Sequence, residues 1–212
     1  MDHLRPELQT GYDPVAEAYA EKFFHELQHK PFDRELLDRF AQRVRGLGPV
    51  CDLGCGPGHI ARYLHERGVD AFGVDLSSAM IQVARRLNPG LHFEPGDMRS
   101  LRAADLTWAG IAAFYSIIHI PPERVVSTLR ELRRVLRPKG LLLLAFHIGT
   151  GGIHLDQWLD KPLSLDFFFF STAELEGYLG ESGFLIEEIL ERDPYERVEF
   201  PSRRGYIAAT KA

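Results

Sequence analysis

Three glycines and two acids hold the densest chemical signal in this 212-residue chain. Residues 52–59 read DLGCGPGH, with glycine at 54, 56 and 58. Glycine adopts backbone conformations that side chains resist, and it lets a ligand approach the main chain closely. Asp75, in GVDLS, follows Gly54 by 21 residues. A carboxylate at that distance, ending the next strand, can accept hydrogen bonds from two ribose hydroxyls. The spacing is G-x-G-x-G, not the G-x-G-x-x-G of dinucleotide binders, and Asp52 stands two residues before the first glycine. A carboxylate in that place repels a pyrophosphate and attracts an amino-acid ammonium.

These residues need a strand-turn-helix frame, and the surrounding pattern supplies one. Residues 49–53 form a short apolar strand, followed by the glycine turn and a helix over 59–67. A second strand covers 70–74, and Ser77 or Ser78 caps a helix reaching Leu87. Residues 91–94 and 110–116 give two further strands. A helix over 122–137 stops at Pro138 and Gly140, and 141–146 (LLLLAF) is a strand apolar throughout, as expected where both faces are covered. Strands alternating with helices imply a parallel sheet. The end differs: after a helix over 172–181, opened by a capping box at Ser171 and Glu174, strands 184–190 and 206–210 have no crossover helix between them. A hairpin and an antiparallel last strand are expected. Ahead of the sheet, helices over 13–29 and 33–45 make an N-terminal cap of residues 1–46. Residues 148–170, rich in glycine and aromatics, are long for a connection and read as a lid-like insertion within one domain of residues 1–212.

In its motifs the chain resembles class I S-adenosylmethionine-dependent methyltransferases, particularly the small-molecule group that includes quinone-biosynthesis enzymes. The matching pieces are DLGCGPGH, GVDLS, PGDM at 95–98 and LRPKGLLLLAF at 136–146, with YDPVAEAY at 12–19 as support. The resemblance implies an α/β, Rossmann-like, doubly wound seven-stranded sheet with an antiparallel last strand, plus N-terminal helices. It implies S-adenosylmethionine as cofactor and in-line methyl transfer to a small-molecule acceptor, the attacking atom being left open. By the same resemblance Gly54, Gly56 and Gly58, with Cys55 in their loop, would pack on the methionine portion, and Asp52 would lie near its ammonium. Asp75 would hold the ribose and Leu76 would cover the adenine. Asp97 would accept from the adenine amine beside Met98. Tyr115 would line the methyl position, and Tyr12 and Tyr19 would close over it.

Methyl transfer from a sulfonium relies mainly on proximity and alignment. If the acceptor must lose a proton, His119 and His147, just beyond central strand ends, are the candidate bases. His154, Trp158, Phe168 and Phe170 are the acceptor or lid candidates. The alternatives are a nicotinamide-dependent oxidoreductase and a non-catalytic module that binds S-adenosylmethionine.

Other patterns carry less. HELQH at 25–29 fits the two-histidine zinc motif of metalloproteases but lacks an evident third ligand, so no metal is expected. Arg130, Arg133, Arg134, Arg137 and Lys139 could form a nucleic-acid stripe. A net charge of −5, from 25 basic and 30 acidic residues, favours a solvated helix face with no nucleic-acid partner. Two cysteines exclude a disulfide-built secreted domain, and the longest apolar stretch is too short and too polar to cross a membrane. The expected location is the cytoplasm. The oligomeric state is left open.

Overall fold

A computed structural model of the chain describes residues 11–212. Seven strands form one sheet in the order β3-β2-β1-β4-β5-β9-β8. They are β1 Val50–Leu53, β2 Ala71–Asp75, β3 His92–Pro95, β4 Trp108–Phe114, β5 Leu136–His147, β8 Phe184–Arg192 and β9 Arg204–Lys211. The first five run parallel, and β9 runs antiparallel to both β5 and β8. This is the expected doubly wound sheet with its terminal hairpin. The strand order reverses between β1 and β4, and such a switch point opens a crevice at the carboxyl ends of the strands.

Helices cover both faces. α2 (Pro31–Val44) and α3 (His59–His65) pack on Leu141, Leu143 and Ala145. α5 (Pro122–Val135) and α6 (Thr172–Glu181) pack on Leu142, Leu144 and Phe146. The alternate residues of β5 thus enter two different cores, which is why the strand reads apolar at every position. α4 (Ser78–Leu87) is capped by Ser77, whose hydroxyl accepts from Met80 N at 3.1 Å. Both halves of the capping box at Ser171 and Glu174 form.

Three expectations change. The single helix over 13–29 is instead a 3-10 turn at Asp13–Val15, α1 (Ala16–Phe23) and a second 3-10 turn at Glu26–His29. Pro31 disfavours helical backbone at Lys30, which sits at φ −122° and ψ 72°. The tighter turn also buries Leu27 and aims Glu26 inward. α5 ends at Val135 rather than Arg137, because Leu136 already pairs with Trp108 of β4. Residues 148–170 are not a loop. They hold an antiparallel hairpin, β6 (Gly152–Trp158) and β7 (Lys161–Phe168), outside the main sheet. Its two turn residues, Leu159 and Asp160, both have positive φ (49° and 58°), the geometry of a type I′ turn. Neither is the glycine or asparagine that would have marked that turn in the sequence. Among the described residues no helix is long and apolar enough to cross a membrane.

Candidate active site

The glycine loop leaves β1 at the switch point, and residues 115–119 leave β4 beside it. Gly54, Gly56 and Gly58 all have positive φ, at 73°, 50° and 81°. Their reasons differ. A Cβ on Gly54 would lie 2.3 Å from Ser116 Cβ, and one on Gly58 would lie 2.6 Å from the Phe93 ring. A Cβ on Gly56 would meet nothing nearer than Tyr19 Cε1 at 3.6 Å. Gly54 and Gly58 are therefore small because the protein packs on them, whereas a Cβ on Gly56 would meet only ordinary contact, and Gly56 lines both cavities. Gly58 lies outside both cavities described below, under Phe93 and Asn88, a correction to its expected place against the ligand.

Asp75 closes this loop from the end of β2. Its Oδ2 accepts from Gly56 N and its Oδ1 from Ser77 N, both at 2.8 Å. Burial pushes its carboxyl up, against those two N–H groups. Asp52 is buried, and its Oδ2 accepts from Ala61 N at 2.9 Å. Burial raises it to about 7, while His59 and the Ala61 N–H pull it down.

Two cavities meet here. The smaller, about 90 Å³, is lined by Tyr12, Asp75, Leu76, Asp97, Met98, Tyr115, Ser116 and His119. The larger, about 630 Å³, is lined by Tyr19, Asp52, Cys55, His147, Trp158 and Phe168 among others. Both touch Tyr12, Tyr19, Gly54, Gly56, Phe114 and Tyr115. Asp97 is engaged by Arg99 at 3.0 Å. Trp158, near the hairpin turn, packs edge-on against Tyr12 and Tyr19, with ring centroids 6.1 and 5.6 Å away.

The two histidines are held by both geometry and charge. His119 Nδ1 donates to the Asp166 carbonyl oxygen at 3.0 Å, so Nε2 accepts from the Tyr12 hydroxyl at 2.9 Å. Burial lowers His119 to about 4, the Asp166 bond opposing it. His147 shares a 2.8 Å hydrogen bond through Nδ1 with the Ser202 hydroxyl. Burial, then Arg204 and Lys30, lower it to about 3.

Two lid candidates are corrected. His154 is half-exposed on the hairpin, bound to Asp166 and Asp156, away from both cavities. Phe170 is buried in the core with Leu175 and Leu179. In its place Phe167 and Phe169 join Phe168 in the larger cavity, because the chain leaves strict alternation at the end of β7. The HELQH segment also resolves. Glu26 binds His59 Nε2 at 3.0 Å and Lys30 Nζ at 2.8 Å. Burial would raise Glu26, but those partners outweigh it and hold the carboxyl at about 2. Among the described residues no group of three or more His, Cys, Asp or Glu is arranged to hold a metal ion. On α5 and just beyond it, Arg130 pairs with Glu181, Arg133 donates to Gly183 O, Arg134 pairs with Glu131 and Asp105, and Arg137 donates to Leu47 O.

Sequence reasoning missed Glu26, Lys30, His59, Ser116, Glu199 and Arg204 as lining residues. His59 and Ser116 had a signal, since each follows a strand end at the switch point. Lys30, Glu199 and Arg204 had none, because only the pairing of β9 with β5 and the docking of α2 bring them together.

A sequence profile described as a methyltransferase domain matches residues 50–140. That span holds the glycine loop, Asp75 and the β4 exit. Over that span the chain is similar to methyltransferase domains. A malonyl-(acyl-carrier protein) O-methyltransferase of Enterobacter lignolyticus (strain SCF1) is 32% identical over 134 residues, 60% of this chain and 51% of that protein. The chain thus spans about half the length of this curated relative. The CcbJ methyltransferase of Streptomyces caelestis shares the fold with a TM-score of 0.72, at 17% identity, covering 97% of this chain and 99% of that one. A SAM-dependent methyltransferase of Methanosarcina mazei shares it at 0.69 and 20%, covering 77% and 92%.

The residues present fit S-adenosylmethionine, the cofactor that the sequence resemblance implies. Gly56 lines both cavities, and its N–H donates to Asp75. The Ser116 hydroxyl is buried in the smaller cavity without a hydrogen-bond partner. An unpaired buried hydroxyl is costly, and a polar ligand group would satisfy it.

Proposed function

We propose that the domain transfers a methyl group from S-adenosylmethionine to a small-molecule acceptor held in the larger cavity. The observation that carries this reading is Asp75 bound beneath Gly56 at the switch point, where Asp75 lines the smaller cavity and Gly56 lines both. When bound, the cofactor supplies an electrophilic methyl group. On this reading Asp75 takes the ribose hydroxyls, Leu76 and Met98 flank the adenine and Asp97 accepts from its amine. Gly54, Cys55 and Gly56 line the methionine portion, Asp52 faces its ammonium, and Tyr12 and Tyr19 close above. Tyr115 bounds the methyl position. Its hydroxyl is turned away, 3.2 Å from that of Tyr206.

On this reading neither histidine is the general base: both ring nitrogens of His119 are engaged, and burial lowers both imidazoles. His119 instead acts as a strut between Tyr12 and the hairpin. The acceptor side is walled by Trp158, Phe168, Phe169 and Phe200, which suits a partly apolar molecule. The Enterobacter relative is named for a malonyl thioester of a carrier protein. For this chain the reading extends only to a small acceptor, with no nucleic-acid partner. Cys51 and Cys55 are buried free thiols, which supports a reducing, cytoplasmic location.

Calorimetric titration with S-adenosylhomocysteine tests the reading. Micromolar binding by the wild type, lost in Asp75→Ala, is expected. A folded wild type that binds neither S-adenosylhomocysteine nor S-adenosylmethionine would overturn it.

A further inference from the structure

The larger cavity contains a charge pattern to which the proposed cofactor contacts assign no role. Lys30 Nζ lies 5.2 Å and Arg204 Cζ 5.5 Å from the centroid of the Tyr115 ring, so two cations converge on the ring that bounds the methyl position. Both residues are buried, at 5% and 2% exposure, and both line the cavity.

The carboxylate that both approach is already committed. Glu199 accepts from Arg192 through both oxygens, at 2.7 and 2.9 Å, and from Tyr195 N at 2.8 Å. Glu199 therefore stays 3.5 Å from Lys30 Nζ and 3.7 Å from Arg204 Nε. Lys30 makes one short contact, to Glu26, which is shared with His59. Arg204 spends Nη1 on Ser202 and Nη2 on the Phe200 carbonyl. Its Nε–H is buried without a hydrogen-bond partner. A buried guanidinium N–H without a partner is costly, and an acceptor atom supplied beside it would satisfy it. Around that point the walls are aromatic: His147 lies 6.1 Å from Phe169 and 5.8 Å from Phe200, ring to ring.

We propose that the methyl acceptor is a carboxylate anion on an apolar body, its charge held by Arg204 Nε and Lys30 and its body lying between the Phe168, Phe169 and Phe200 side chains. The proposal rests on the methyltransferase reading and narrows it. Two convergent donors and a low-polarity wall favour an anion over a neutral isostere, because a neutral group replaces a charge-assisted hydrogen bond by a weaker one.

The test uses protein saturated with S-adenosylhomocysteine, titrated with 3-phenylpropanoate and with 3-phenylpropanamide, which has the same shape without the charge. The acid is expected to bind at least about tenfold more tightly, the effect of one hydrogen bond to a charged group. That preference should fall below about threefold in Arg204→Gln and in Lys30→Met, with S-adenosylhomocysteine affinity unchanged. The comparison of acid with amide needs only the wild type, so it stands even if a variant misfolds. Equal affinities, or no saturable binding of either compound up to about 10 mM, overturn the proposal while leaving the methyltransferase reading intact. Loss of S-adenosylhomocysteine affinity in the variants also overturns it, by assigning the two cations to the cofactor's own carboxylate. Failure of the wild type to bind S-adenosylhomocysteine is separate, and removes the parent reading.

Discussion

Asp52 is the side chain whose charge depends most on its ligand. In the free protein burial holds it at about 7, against His59 and the Ala61 N–H and with Asp75 adding to the rise. An ammonium placed beside it favours the ionised form and so lowers that pKa. Below pH 7 binding must then release a proton, and affinity rises with pH until Asp52 is ionised before the ligand arrives. S-adenosylhomocysteine should bind about tenfold more tightly at pH 7.5 than at pH 5.5. It should release protons at the lower pH, and Asp52→Asn should flatten the profile. Calorimetry in buffers of different ionisation heat reads both effects. The glycines give a second test at this scale. Gly58→Ala forces a left-handed alanine, costing about 1–2 kcal/mol, and pushes a methyl into Phe93, adding about 1–3 kcal/mol. Gly56→Ala meets only the strain and should instead weaken cofactor binding. Thermal melting and calorimetry on the pair separate packing from ligand contact.

At the scale of elements, the β6–β7 hairpin and the N-terminal turns face each other across the cavities. Tyr12 reaches His119, His119 reaches Asp166 of β7, and Trp158 sits against Tyr12, Tyr19 and Phe23. If the hairpin is a lid, its ring contacts must respond to ligand. In a Trp108→Phe background Trp158 is the remaining tryptophan, and S-adenosylhomocysteine should shift its emission. Unchanged emission at saturation would count against a lid. The α6 cap offers a control with no tie to the ligand. Ser171→Ala removes the reciprocal capping box and should cost about 1 kcal/mol in denaturant unfolding, with cofactor affinity unchanged.

Across the whole molecule, one buried ionic cluster ties distant parts of the chain together. Arg192 of β8 binds Asp33 of α2 at 2.9 Å and Glu199 of the β8–β9 connection at 2.7 Å. Tyr206 of β9 donates to Asp33 at 2.6 Å. Both carboxylates are about 1% exposed. Arg192→Met would remove the ion-pair partner of Asp33 and the closest one of Glu199, and breaking a buried pair from one side costs about 3–5 kcal/mol. Chemical denaturation should show that loss. The same cluster positions Glu199 beside Lys30 and Arg204, so the wall of the acceptor cavity and the attachment of the terminal hairpin share one set of charges.

The amino-acid sequence alone determined the sheet and the strand-turn-helix frame around the glycine loop. Strand and helix periods, the glycine loop and Asp75 are local signals, each carried within a few residues or one strand-helix-strand unit. It also marked Ser77 and Ser171 as caps, because capping is decided by the residue and its next three neighbours. The folded chain decided the rest. Gly58 and Phe170 read like ligand-facing residues until Phe93, Leu175 and Leu179 closed over them. The hairpin at 152–168 escaped notice because Leu159 and Asp160 carry its turn without glycine. Lys30, Glu199 and Arg204 are separated by up to 174 positions and have no motif in common. Their meeting depends on long-range strand pairing and helix docking, and that is where the acceptor's chemistry is written.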